Sequence, residues 1–138
     1  DWSSDVCSSD LLSGNPVAVA AGRATLALLD PMAYLALEAT GAAIEEGLEP
    51  VLAYHGCSLA RAGSMLTVFF RETPPRNYAE ARTCDLEAFA AFHQGALTGG
   101  VYLPCSQFEA AFFSFTLADA DLEDAIDGLS AALVAVEG

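Results

Sequence analysis

The chain has 138 residues, room for one modest domain that buries about two thirds of its unfolded surface. Charged residues make up 17% and hydrophobic residues 54%, with a mean hydropathy of +0.39, which excludes disorder and describes a core-rich globular piece. The net charge of −14, with five arginines and no lysine, repels nucleic acid and anionic lipid and leaves no side-chain amine for Schiff-base chemistry.

Asp1 to Asp10 show neither a strand nor a helix apolar period, and they lack the basic and apolar regions of a signal peptide. Back-translated, Asp1 to Leu11 resembles a common sequencing-library adapter read in one frame. Residues 1–11 are therefore expected to be non-native, with native sequence from Leu12, and Cys7 then carries no meaning. Removing Asp1, Asp5 and Asp10 moves the net charge from −14 to −11, so the chain stays acidic.

Asn15 before Pro16 predicts a helix start, because Asn can accept an orphan N–H bond and Pro already holds the helical φ. That helix should run to about Leu29. Asp30-Pro31 repeats the signal for a second helix, with Tyr34, Leu37, Gly41, Ile44 and Leu48 on one stripe and Pro50 at its end. Arg23, Asp30 and Glu38 interrupt the apolar stretches before any reaches the roughly 20 residues of a membrane span. Ser64 to Phe70 reads as a strand covered on both faces, and Thr73 to Asn77 as a loop. Asp85 should cap a helix with Leu86, Phe89, Phe92 and Ala96 on one side, closed by Gly99-Gly100. Val101 to Leu103 and Phe112 to Phe115 read as two short strands around a bend at Pro104-Cys105-Ser106. The last helix begins near Asp119, with Leu122, Ile126, Leu129, Leu133 and Val136 inward and the acids of its first turn at the positive end of its dipole. The pattern predicts an α+β fold, a short, mainly antiparallel sheet covered by helices.

Cys57, Cys84 and Cys105 are far apart, with no paired Cys/His spacing for a metal, and their expected state is inert thiols. His55 and His93 stand outside any recognisable catalytic motif. Two segments invite chemistry. Ser13-Gly14-Asn15-Pro16 sits at a helix N-terminus, where backbone N–H groups favour an anion such as phosphate. Glu109, in Pro104-Cys105-Ser106-Gln107-Phe108-Glu109, must either turn to solvent or meet a cation, because burial between Phe108 and Phe112 is otherwise costly.

Leu12 to Pro16 with the helix to Gly22, Gly63 to Phe70, and Gly100 to Ala110 together resemble the C-terminal part of the glutamate-1-semialdehyde 2,1-aminomutase family, in the same order. Tyr78 to Ala81, Asp85 and the Phe89 to Phe92 helix are similar to the family segment between the second and third motifs. Ser106-Gln107-Phe108-Glu109 is the specific run; class-III aminotransferases at large share the helix start and the fold. Leu117-Ala118 stands where a His-Thr pair is usual, and Cys105 where proline or alanine is commoner.

The resemblance implies a fold-type-I pyridoxal-phosphate enzyme, cytoplasmic and homodimeric, that isomerises a small amino-aldehyde, glutamate-1-semialdehyde, to 5-aminolevulinate for tetrapyrrole synthesis. It further implies that residues 12–30 end the cofactor-binding large domain and that residues 31–138 form the small C-terminal domain. The Schiff-base lysine would lie upstream, so no catalytic residue falls in this chain, which should be inactive and bind the cofactor unstably. Ser13, Gly14 and Asn15 would lie near the cofactor phosphate, Leu11 occupying the position of the family's phosphate-contacting threonine. Glu109 corresponds to the family's substrate gate, which pairs with an upstream arginine. The alternatives are a divergent class-III ω-aminotransferase or a stand-alone small α+β interaction domain; neither nucleic acid, membrane nor metal is an expected partner.

Overall fold

The structure is a computed structural model that describes residues 14–114, 116–117 and 119–136. It divides into two compact units with the boundary between Leu35 and Ala36. In the first, helix α1 (Pro16–Leu28) starts as expected: Asn15 Oδ1 accepts the N–H groups of Val17 at 2.9 Å and Ala18 at 3.4 Å, and Pro16 takes the first helical position. None of its residues is buried, and Val17, Val19, Leu26 and Leu28 are exposed.

Helix α2 (Pro31–Tyr54) begins with Asp30 Oδ1 accepting the Ala33 N–H at 2.9 Å and runs across the unit boundary. Leu37, Gly41, Ile44, Leu48 and Leu52 form its buried stripe, whereas Tyr34, expected on that stripe, is exposed. Pro50 does not end the helix. It stands on the exposed face, where water can satisfy the carbonyl its missing N–H would have bonded, while Leu48 and Leu52 on either side are anchored in the core. The stop comes at Gly56, whose φ of +62° lets the Cys57 N–H reach the Leu52 carbonyl at 2.8 Å, a Schellman closure.

Strands β1 (Ser58–Ala62) and β2 (Met65–Phe69) form an antiparallel hairpin, and β3 (Ala111–Phe112) adds to the other edge of β2, giving the order β1-β2-β3. β1 is absent from the sequence reading because Ser-Leu-Ala-Arg-Ala has little strand propensity; its pairing partner makes it a strand. β2 is covered on one face rather than both: Leu66 and Val68 are buried, Met65 is exposed, Thr67 is half-buried, and on that second side Phe69 is buried. The Phe112–Phe115 expectation shrinks to Ala111–Phe112, with Phe115 outside the described residues. Val101–Leu103 is not a strand. Its backbone is used otherwise, the Val101 N–H capping the preceding helix on the Ala96 carbonyl and the Leu103 carbonyl facing His93 Nε2 at 3.1 Å.

A four-residue helix, α3 (Tyr78–Ala81), follows the expected loop, capped by Asn77, whose Oδ1 accepts the Glu80 N–H. Helix α4 (Leu86–Thr98) is capped by Asp85 and closed at Gly99-Gly100, with Phe89, Phe92 and Ala96 buried and Leu86 exposed. Helix α5 (Asp119–Ala135) buries Leu129, Ala132 and Leu133, while Leu122, Ile126 and Val136 pack at the rim of the core. The core joins Leu48 of α2, Leu66 and Val68 of β2, Phe92 of α4 and Leu133 of α5, with Phe70, Phe89 and Phe92 in tilted and edge contacts at 5.7 to 6.5 Å. The arrangement is α+β, a three-stranded antiparallel sheet with the long helices α2, α4 and α5 against one face.

One polar clamp fixes the hairpin on α2. Arg61, its side chain 13% exposed, donates to Glu38 Oε1 at 2.9 Å, to Glu45 Oε2 at 2.8 Å and to the Gly63 carbonyl at 3.2 Å. The hydrogen bond and charge of Arg61 hold the Glu38 carboxyl below its ordinary value of 4.5, and the two carboxylates raise the Arg61 guanidinium. The approach is close enough to require glycine at 41, where a Cβ would stand 2.7 Å from the Gly63 carbonyl oxygen and 3.1 Å from Arg61.

Two outcomes are expected. Gly41→Ala should lower unfolding stability by about 1 kcal/mol or more in a urea titration, the clash outweighing the helix propensity gained. Because the Glu38 pKa is depressed on folding, its contribution is present above pH 4.5 and lost as pH falls through the folded value. The difference in Tm between the wild type and Glu38→Gln should therefore be steady from neutrality down to about pH 4.5 and close below it.

Candidate functional site

The free side of β2 points Thr67 and Phe69 away from Leu66 and Val68, as strand alternation demands. The loop 73–77, α3 and the loop 104–110 close around them into an open hollow of about 480 Å³, with Arg76, Tyr78, Gln107, Phe108 and Glu109 on its walls. Tyr78 and Phe108 stand 5.6 Å apart at 52°. Glu109 is exposed, and Arg76, also exposed, lies on the same rim. The two ion pairs found among the described residues belong to Arg61, so Glu109 takes the solvent-facing course of the two the sequence left open.

The hollow therefore presents an anion and a cation on one aromatic-walled rim, an arrangement suited to a small polar molecule with groups of both charges. Thr67 Oγ1 donates to the Glu109 carbonyl at 3.1 Å, and the Glu109 N–H donates to the Ser106 carbonyl at 3.1 Å. Gln107 was not singled out from the sequence, yet it is 2% exposed and its Nε2 donates to the Ala81 carbonyl at 3.0 Å. An amide beside Phe108 carries no sequence signal of burial, since glutamine is usually exposed.

The other predicted segment lies in the first unit. Leu11 and Ser13, with the whole of 1–11, fall outside the described residues. Gly14 is exposed with open space around it, and the Asn15 oxygen occupies the Val17 and Ala18 N–H groups that an anion would need. Cys57 and Cys84 are buried and Cys105 is exposed. His55 stands edge-on to Tyr54, with ring centroids 5.0 Å apart, while His93 ties α4 to the 101–104 segment. Among the described residues no group of three or more His, Cys, Asp or Glu is arranged to hold a metal, and no helix is long and apolar enough to cross a membrane.

No family model matches the chain. An omega-transaminase from Sphaerobacter thermophilus superposes with a TM-score of 0.75 at 20% identity, covering 91% of this chain and 29% of that one. A glutamate-1-semialdehyde-aminomutase from Pseudomonas aeruginosa PAO1 superposes at 0.76 with 26% identity, covering 89% of this chain and 28% of that one, and a further structure of that enzyme is a complex with PMP. The fold is thus one that transaminases and an aminomutase share over the matched portion.

Sequence narrows this further. The glutamate-1-semialdehyde 2,1-aminomutase of Sorangium cellulosum (strain So ce56) is 46% identical over 126 residues, 90% of this chain and 29% of that protein. The chain belongs, as a segment, to the glutamate-1-semialdehyde 2,1-aminomutase family, and it spans under a third of the length of the curated relatives it matches.

Proposed function

We propose that the protein carrying this chain is a pyridoxal-phosphate-dependent, cytoplasmic homodimer that converts glutamate-1-semialdehyde to 5-aminolevulinate for tetrapyrrole synthesis. The supporting observation is 46% identity to an aminomutase across 90% of the chain. A divergent ω-aminotransferase, which has the same fold, is the alternative, and the fold shared with whole enzymes disfavours a stand-alone interaction domain.

The residues of this chain do not by themselves fit the cofactor. They include no lysine to hold its aldehyde, and the first-turn amides of α1 at Val17 and Ala18 are already bonded to Asn15. The chain's contribution is instead at the substrate. Glu109, solvent-facing on the rim of the hollow, is free to pair with a guanidinium brought by the rest of the protein, and making or breaking that pair closes or opens the hollow. Gly14 and Asn15, with Ser13, lie at the phosphate end of the cofactor in this reading. Residues 12–30 complete a larger cofactor domain and residues 31–138 form the small one. The exposed Val17, Val19, Leu26 and Leu28 of α1 support this division, since such a helix needs an apolar partner. Residues 1–11 are the adapter-derived lead, which genomic sequence across Leu12 would reveal.

Two measurements test the reading. Pyridoxal phosphate titrated into the 138-residue chain should keep the absorption spectrum of the free aldehyde; a stoichiometric spectral shift would show that the chain alone makes a cofactor site. In the full-length protein, Glu109→Gln should lower kcat/KM for the amino-aldehyde by about tenfold, the worth of one charge-assisted hydrogen bond. Unchanged kinetics would refute the gate.

A further inference from the structure

The loop bearing Glu109 has few backbone partners. β3 meets β2 through two residue pairs, Leu66↔Ala111 and Met65↔Phe112, and the ladder ends before Glu109 is reached. Side chains take over. Thr67, the next residue of β2, donates Oγ1 to the Glu109 carbonyl at 3.1 Å, while the Glu109 N–H is held by the Ser106 carbonyl at 3.1 Å. Both main-chain groups of the residue are therefore fixed while its carboxylate stays exposed.

Gln107 anchors the same loop from beneath. Its Nε2 donates to the Ala81 carbonyl at the end of α3, and α3 is itself held by the Asn77 cap and by Arg71 Nη1 donating to the Glu80 carbonyl at 3.2 Å. The bond to Ala81 also settles which way the amide is turned, because a carbonyl accepts from N and not from O. That orientation leaves Oε1 buried without a donor among the described residues. A methionine of similar size would fill the space and leave no such atom, so packing does not account for the amide.

We propose that Gln107 and Thr67 are positioning residues that fix the backbone of Glu109 and so the direction in which its carboxylate faces the hollow; this rests on the reading of Glu109 as the substrate gate. The test uses the full-length protein with Gln107→Met, Thr67→Val and Thr67→Ser, each alone and combined with Glu109→Gln. Amide exchange at Glu109 and Ala110 should rise about threefold to tenfold in Gln107→Met and Thr67→Val, and return to the wild-type rate in Thr67→Ser, which keeps the hydroxyl. Both variants should raise KM for the amino-aldehyde more than they lower kcat, and this effect should vanish in the Glu109→Gln background. Unchanged exchange at those two amides overturns the proposal. So does a kinetic effect that persists undiminished without the Glu109 carboxylate, because Gln107 would then be acting on something else. If Glu109→Gln is itself silent while exchange still rises, the gate fails and the positioning stands.

Discussion

Burial of Leu66 and Val68 against Leu48, Phe92 and Leu133 is the constraint on which the rest of the second unit depends. A strand has two faces, and committing one to the core commits the other outward. Thr67 therefore points to the free side, where its hydroxyl captures the Glu109 carbonyl, and Phe69 floors the hollow. A one-residue slip of β2 would exchange these roles, putting a threonine into the core and two aliphatic side chains into the hollow. Arg61 opposes such a slip, because its bonds to Glu38 and Glu45 hold the paired strand in one position along α2.

The functional reading follows from this division of faces. The main apolar cluster of the sheet and its three long helices is gathered on one side, leaving the other, above the buried Phe69, with a carboxylate, a guanidinium, a hydroxyl and aromatic walls. Such a surface suits a small charged molecule, and the chain has no lysine with which to hold a coenzyme aldehyde. On the proposed reading it would contribute control of access and leave the chemistry to other residues. The acidic balance fits the same picture, because four of the five arginines, Arg61, Arg71, Arg76 and Arg82, are spread among clamp, loops and rim and the fifth, Arg23, is on α1, so no basic patch forms.

Features set by near neighbours in the chain were legible. Asn15-Pro16, Asp30-Pro31 and Asp85 announce helix starts because a cap needs one side chain and the two or three amides after it. The stripes on α2, α4 and α5 could be counted because burial on a helix repeats each turn. Features set by distant partners were not. Pro50 is tolerated because two leucines beside it are buried, β1 exists because β2 is next to it, and Val101–Leu103 forgoes a ladder because a helix cap and His93 take its backbone groups.

The sequence by itself determined the helix starts, the apolar faces, the absence of a lysine and the Ser106 to Glu109 run that carries the family likeness. Tertiary structure alone decided that Glu109 faces solvent on a rim shared with Arg76, and that Gln107 two residues earlier is buried. The physical reason is range. A cap or an apolar stripe is settled within one or two turns of chain, whereas the bonds from Gln107 to Ala81 and from Thr67 to Glu109 close loops of 26 and 42 residues. Such bonds form only once the core has already brought their ends together.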